Sequence, residues 1–180
     1  MKLSLEIEVK IPVQELSKYE EVLVSRGAKF IGIQHQVDIY FQHPCRDFRV
    51  TDEALRVRLV NDEVYLTYKG SRRKASFKAR PEIEVKVSDH NKIVDILNNL
   101  GFKYVAKIEK IRKMYEIDDV IVSLDEVYDL GKFIEVEVRN YGNHEKAIKR
   151  IERIIKLLRL PTSKVTTKSY LEILLEKGNR

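Results

Sequence analysis

The pentapeptide Glu-Ile-Glu-Val-Lys occurs twice in this chain, at 6–10 and at 82–86, and the segments that follow the two copies are alike. Each copy alternates charged residues with branched apolar ones, the period of a strand with two unlike faces. After the first copy come Pro12 and an amphipathic run with Leu16, Tyr19, Val22 and Leu23 at helical spacing, ending near Gly27. After the second come Ser88-Asp89, a candidate N-cap, and Ile93, Ile96, Leu97 and Leu100, ending at Gly101. Both copies therefore read as strand then helix.

Further strands follow each helix. Alternating segments reach 38–41 in the first half and 112–115 in the second; then come 54–60 and 64–69, parted by the turn pair Asn61-Asp62, and 120–126 and 132–139, parted by a loop with Gly131. Two helical stretches, 145–158 and 168–177, are joined across Pro161. The expectation is one α+β domain over 1–180, with pseudo-repeat halves of about 1–80 and 81–142 and C-terminal helices in 143–180. Two such halves can pack as a sandwich or close into one barrel, and closure removes exposed edge strands.

The charges favour closure. Glu6, Glu8 and Lys10 share one face of the first strand, opposite Leu5, Ile7, Val9 and Ile11. Arg80, Glu82, Glu84 and Lys86 oppose Ile83, Val85 and Val87; Arg56 and Arg58 oppose Leu55, Val57 and Leu59; Glu135 and Glu137 oppose Ile134, Val136 and Val138. For one strand alone, a solvated polar face explains this. For the set it does not, because Glu-x-Glu and Arg-x-Arg pairs repel unless something neutralises them. Paired carboxylates call for a cation and paired guanidinium groups for an anion, with phosphate the best match to a planar bidentate donor. With helices on the apolar outside, the charged faces line a polar interior that holds a metal and a polyphosphate.

Carboxylate ligands without a convincing His or Cys cluster favour Mg²⁺ or Mn²⁺ over zinc. His35, Asp38, His43 and Cys45 fit no usual zinc spacing and read as loop residues. Neither a P-loop nor a Rossmann glycine motif is present, so side chains must hold any triphosphate. Net charge +6 suits an anionic partner, but most arginines alternate with aliphatics inside strands, which points away from a nucleic-acid surface. The lone Cys45 excludes an internal disulfide and suggests a reducing compartment. No apolar run is long enough for a membrane span, so a cytoplasmic protein without a membrane partner is expected. The wealth of Lys, Glu and Ile beside scarce Cys and Met suggests a thermophilic source.

These residues resemble the CYTH family, the triphosphate tunnel metalloenzymes, over nearly the whole chain. Glu6, Glu8 and Lys10 stand as its Glu-x-Glu-x-Lys motif. Residues 38–44, Leu55-Arg56-Val57-Arg58 and Leu66-Thr67-Tyr68-Lys69-Gly70 look like its next motifs. Arg80, Glu82 and Glu84, then Lys110, Arg112 and Tyr115, Leu124-Asp125, Glu135 and Glu137, and finally Lys168-Ser169-Tyr170-Leu171 follow in the family's order. The resemblance implies a closed eight-stranded antiparallel tunnel with helices packed outside. Lys10, Arg56, Arg58, Lys69, Arg80, Lys110, Arg112 and Lys168 would grip the phosphates. Glu6, Glu8, Glu135 and Glu137 would bind metal, with Glu84 and Asp125 as further candidates. Lys86 has no role in the family pattern.

The family includes class IV adenylate cyclases, thiamine triphosphatases and inorganic triphosphatases, and all need developing negative charge neutralised. Tyr40 and Lys69 resemble a water-activating tyrosine-lysine pair of the thiamine triphosphatase branch, although Tyr40 also reads as an ordinary strand aromatic. Segment 124–137 looks closest to the class IV cyclases, which convert ATP to cyclic AMP and pyrophosphate. Triphosphatase action on inorganic, nucleoside or thiamine triphosphate is the alternative, followed by a non-catalytic nucleotide or polyphosphate sensor. The sequence leaves open whether the protein is a homodimer.

Overall fold

The computed structural model describes residues 6–71, 81–139 and 144–178. Arg80 lies outside them, and of Glu6 only the backbone is described. The strands are β1 (Glu6–Val13), β2 (Lys29–Gln42), β3 (Ala54–Val60), β4 (Glu63–Lys69), β5 (Glu82–Val87), β6 (Lys103–Ile117), β7 (Val120–Val127) and β8 (Gly131–Arg139). The α-helices are α1 (Ser17–Ser25), α2 (Phe48–Thr51), α3 (His90–Asn99), α4 (His144–Leu157) and α5 (Tyr170–Gly178). No described helix is long and apolar enough to cross a membrane.

The eight strands form one sheet in the order β1-β8-β7-β6-β2-β3-β4-β5. Mapping the first sequence repeat onto the second takes β1 to β5, β2 to β6, β3 to β7 and β4 to β8. Under that mapping the order becomes its own reverse, so the repeat seen in sequence is a repeat of topology. The chain folds into two compact units: unit 1 contains His35–Glu109, and unit 2 joins Glu6–Gln34 to the chain from Lys110 onward. Each unit draws strands from both repeats, because the opening strand of one repeat pairs with the closing strand of the other: β1 with β8 and β4 with β5.

In unit 1, α3 covers the apolar face of β3 and β4. Asp89 caps its N-terminus by accepting from the Lys92 N–H at 3.0 Å. Phe41, Phe48, Leu55, Val57, Val64 and Leu97 form the core, with Ile93, Val94 and Phe102 packed against it. The expected stripe is thus turned by about one residue: Val94 faces inward, while Ile96 and Leu100 stand 53% and 64% exposed. The apolar side of β5 is less covered than the alternation predicts, with Ile83 44% and Val85 49% exposed.

Unit 2 has the denser core. Ile7, Val9 and Ile11 of β1, Val122 and Leu124 of β7, and Ile134, Val136 and Val138 of β8 are all essentially buried. Over β8 and β1 lies α4, whose Ala147, Ile151, Ile154 and Ile155, with Leu158 just past its end, recur at three- and four-residue steps on one buried stripe. Burial of each large aliphatic contributes about 1.5–3 kcal/mol, so this side of the sheet is a main source of stability. On β6, Lys113 and Tyr115 hold α1 in place: the Lys113 ammonium donates to both Glu20 oxygens at 3.0 and 2.9 Å, and the Tyr115 hydroxyl donates to Glu20 at 2.6 Å.

Several expectations need correction. His35 and Asp38 are not loop residues but part of β2, whose 14 residues continue well before position 38. The helices expected at 145–158 and 168–177 run instead over His144–Leu157 and Tyr170–Gly178. Short α2 and the turn of 3₁₀ helix at Thr162–Lys164 were not foreseen, since four or three residues carry no helical period. The two-residue link from β6 to β7 is Asp118-Asp119, both with positive φ (51° and 59°), the backbone of a tight hairpin that matches strand twist.

Replacing Ile154 by Ala should cost about 2–5 kcal/mol in urea unfolding, because the fully packed site cannot collapse around the lost atoms. Donation from Tyr115 and Lys113 holds the Glu20 carboxyl below its ordinary pKa. A depressed carboxyl stabilises the fold above its unfolded pKa and loses that effect as pH falls through the folded value. Glu20→Ala should therefore destabilise by about 1 kcal/mol at neutral pH and by much less near pH 3, as read from melting curves at both.

Candidate functional site

The charged faces of unit 2 are largely withdrawn from solvent. In unit 2, Phe133 through Val138 of β8 are buried on both sides, with Glu135 and Glu137 each 3% exposed. Lys10 and Lys110 are 3% exposed, Arg112 7% and Asp125 0%. Burying an ion is costly unless it is paired and hydrogen-bonded. The strand register supplies the partners.

Lys10 lies opposite Glu135 and Glu8 opposite Glu137 across the β1–β8 ladder. The Lys10 ammonium is 2.6 Å from Glu8 and 3.1 Å from Glu135. Burial works against its charge, but Glu135 and Glu8 outweigh it and raise its pKa. Across the β6–β7 ladder Arg112 lies opposite Asp125, and its Nε and Nη2 donate to the two Asp125 oxygens at 2.7 and 2.5 Å. Arg112 also reaches Glu135 at 2.9 Å, and Lys110 is 3.5 Å from Asp125. Although burial opposes it, the Glu135 carboxyl is held well below the ordinary range by Arg112, Lys10 and Lys110. The buried Tyr170 hydroxyl, at the start of α5, donates to Asp125 at 2.6 Å, and its ring lies under the Lys110 and Lys10 ammonium groups at 4.8 and 5.3 Å.

The carboxylates of unit 2 were tested against the expected divalent cation. Glu8 and Glu137 are directly opposed like charges, and Glu135 is two residues from Glu137 on the same face. The Glu137 carboxyl is pushed above its ordinary pKa, chiefly by burial and further by Glu135 and Glu8, despite the neighbouring Arg139 guanidinium. Such a group gains from a cation, and an all-oxygen donor set fits Mg²⁺ or Mn²⁺. Protein cations hold the same oxygens here, and no three His, Cys, Asp or Glu side chains are gathered for a metal among the described residues. Asp125 has Arg112, Lys110 and Tyr170 on its oxygens. Glu84 lies in unit 1 and accepts from the Thr67 hydroxyl at 2.8 Å.

Unit 1 has a different balance. Asp38, 3% exposed, lies opposite Arg58 across the β2–β3 ladder and accepts from its Nε and Nη2 at 2.6 and 2.7 Å. Lys69 lies opposite Glu82 and is 2.7 Å from it. Gly70 secures this end of β4: its N–H donates to the Pro81 carbonyl at 2.8 Å, and a Cβ there would stand 2.7 Å from the Pro81 ring, so the position requires glycine. Between the two pairs Arg56 is held loosely, 3.6 Å from Asp38 on one side and 3.6 Å from Glu82 on the other. Its buried Nε–H has no hydrogen-bond partner. A buried, charged donor left unsatisfied is costly in a fold that satisfies its neighbours.

Other candidates are placed differently. Lys168 makes an exposed ion pair with Glu176 at 2.7 Å. Lys86 is also exposed, paired with Glu63. The Tyr40 hydroxyl bonds with Arg56; burial, then Asp38, raises its pKa against the opposing Arg56 and Arg58. The residues once weighed for zinc have other partners: His35 with Glu109 at 2.9 Å, Asp38 with Arg58, and His43 with the rings of Phe48 and Phe102. Sequence reasoning missed Asp38, Glu82 and Tyr170 as members of the charged networks. Alternation puts Glu82 on a charged face while Asp38 reads as a loop residue, and only the ladder register shows which cation each one meets.

The chain is 40% identical over 171 residues to a protein of Methanocaldococcus jannaschii named "Putative adenylate cyclase", covering 94% of this chain and 98% of that one. A solved structure from Pyrococcus horikoshii is 40% identical with a TM-score of 0.81, covering 96% of this chain and 99% of that one. A Hippeastrum protein described as a "Putative adenylyl cyclase" with "a dominant triphophatase activity" is 16% identical with a TM-score of 0.70, covering 97% and 96% of the two chains, and shares the fold. The CYTH domain model matches residues 4–170, and the chain belongs to the CYTH domain family.

Proposed function

We propose that this protein is a metal-dependent enzyme acting on a triphosphate, of the class IV adenylate cyclase type, which converts ATP to cyclic AMP and pyrophosphate. Closure of the eight strands into the family's tunnel is part of this reading. The observation that carries it is the buried Arg56 Nε–H, left without a partner between Arg58 and Lys69 on one charged face. Phosphate oxygens suit these donors, since a planar guanidinium edge donates to two of them at once. Arg56, Arg58 and Lys69 would bind and orient the polyphosphate, with Lys10, Lys110 and Arg112 as further cations and Arg80 and Lys168 as additional candidates from the family pattern. A divalent cation held by Glu8, Glu135 and Glu137, with Glu6, Glu84 and Asp125 as further candidates, would neutralise the charge that develops on the leaving phosphates.

In the cyclase reaction the ribose 3′-hydroxyl attacks the α-phosphorus, loses its proton, and the bond to pyrophosphate breaks. The chain's cations stabilise the departing pyrophosphate and hold the attacking and leaving oxygens in line. Water activation by Tyr40 is less well supported, because the phenol is buried, bonded to Arg56 and raised in pKa. The name carried by the Methanocaldococcus relative at 40% identity supports the cyclase reading. The activity described for the Hippeastrum protein keeps triphosphatase as the second reading.

Pure protein incubated separately with ATP, inorganic triphosphate and thiamine triphosphate, each with Mg²⁺ or Mn²⁺, should yield cyclic AMP and pyrophosphate from ATP. Orthophosphate release would instead establish the triphosphatase, and absence of any product would leave a sensor. Glu135→Gln should lower metal-dependent turnover by about 100-fold or more while the protein stays folded by circular dichroism; undiminished turnover would remove this carboxylate from the mechanism. Arg56→Ala should weaken inorganic triphosphate binding by about 10- to 100-fold in calorimetry and affect orthophosphate much less.

A further inference from the structure

We propose that Asp38 is a positioning residue for the anion-binding face of unit 1, acting by fixing Arg58. The inference rests on the triphosphate reading but concerns a carboxylate that reading does not use. A carboxylate among substrate-binding cations has two opposite explanations. It can be a competitor that occupies the donors until the substrate displaces it, or an orienter that holds the guanidinium while other donor edges take the substrate.

The geometry favours the orienter. Asp38 takes the Nε and Nη2 atoms of Arg58 at 2.6 and 2.7 Å, so the guanidinium plane is fixed while Asp38 leaves the Nη1 side of the fork unengaged. The carboxylate is directly cross-strand from Arg58 and 3% exposed, so burial confines it beside the guanidinium. Its Oδ2 is also 3.6 Å from Arg56 Nη1, while Glu82 is 3.6 Å from Arg56 Nη2. Arg56 is centred between two carboxylates that are each satisfied by another cation, and its Nε–H remains free to donate.

The same device occurs in unit 2. There Arg112 gives its Nε and Nη2 to the two oxygens of Asp125, again directly across a ladder. The roles of the strands are exchanged: β2 carries the carboxylate and β3 the arginine in unit 1, whereas β6 carries the arginine and β7 the carboxylate in unit 2. Because β2 corresponds to β6 and β3 to β7 in the sequence repeat, the pair has been kept while its polarity has reversed. Retention of the fork geometry under that reversal is what an orienting contact requires.

Orienter and competitor predict opposite signs. Removing a competing negative charge tightens anion binding, whereas removing an orienter weakens it even though the site becomes more positive. Calorimetric titration of the full chain with inorganic triphosphate, in chelator and again with Mg²⁺, should show Asp38→Asn binding about 10-fold more weakly than the parent. Asp95→Asn, an exposed change on α3 that removes the same charge from unit 1, should bind like the parent. In an Arg58→Gln background, adding Asp38→Asn should cost less than about 2-fold, because the positioning acts through Arg58. That comparison stands alone if Asp38→Asn by itself does not fold, since removing both partners leaves no buried unpaired charge. Equal or tighter binding by Asp38→Asn, or a further large loss in the Arg58→Gln background, overturns the inference while leaving the triphosphate reading intact. Failure of the parent protein to bind triphosphate at all overturns both, and is told apart because it is seen before any substitution.

Discussion

The pairing of buried charges across strand ladders is the constraint on which the rest of the structure depends. A guanidinium or carboxylate removed from water costs several kcal/mol unless a partner stands in place. Here the partner is supplied by antiparallel register: Lys10 opposite Glu135, Arg58 opposite Asp38, Lys69 opposite Glu82 and Arg112 opposite Asp125. A slip of one residue in any of these ladders would turn charges to the apolar side and aliphatics to the charged one, so the charge pattern and the apolar pattern enforce the same register. The stability that such faces cannot provide comes from the opposite side of each strand, where Val9, Val122, Ile134 and Val136 pack with α4 in unit 2 and Leu55, Val57 and Val64 pack with Leu97 of α3 in unit 1.

Much of this was legible in sequence because a strand's period is short and strict. Glu6, Glu8 and Lys10 against Ile7, Val9 and Ile11 leave only one assignment of faces, and strand boundaries such as Ala54–Val60 follow from the turn residues that flank them. What was not legible depends on contacts between segments far apart in the chain. No local pattern brings Tyr170 to Asp125 or Glu20 to Lys113 and Tyr115, although those contacts place α5 and α1. Nor does motif order show that the Lys168 ammonium pairs with Glu176. The alternating segment that reaches 38–41 is β2, Lys29–Gln42, although its first three residues are exposed.

The repeat has diverged in the strands that decide chemistry. Glu82 and Glu84 of β5 correspond to Glu6 and Glu8 of β1, and each strand pairs with the closing strand of the other repeat. On β8 the residues facing Glu8 and Lys10 are Glu137 and Glu135; on β4 those facing Glu84 and Lys86 are Thr67 and Tyr65. One ladder has therefore accumulated carboxylates where its counterpart carries hydroxyls. The hydroxyl version is satisfied locally, with Thr67 donating to Glu84. The carboxylate version leaves Glu8 and Glu137 opposed and Glu137 shifted toward its neutral form.

This divergence divides the electrostatic work. In unit 1 the charged face sets Arg56, Arg58 and Lys69 against Asp38, Glu82 and Glu84. In unit 2 it sets Lys10, Lys110, Arg112 and Arg139 against Glu8, Asp125, Glu135 and Glu137. The charges of each face are thus close to balanced by the protein's own partners, and what differs is that unit 2 holds two directly opposed carboxylates. Two copies of one strand-helix-strand pattern thus come to carry different charge networks through substitution of side chains on paired strands, while the strand pairing itself is kept.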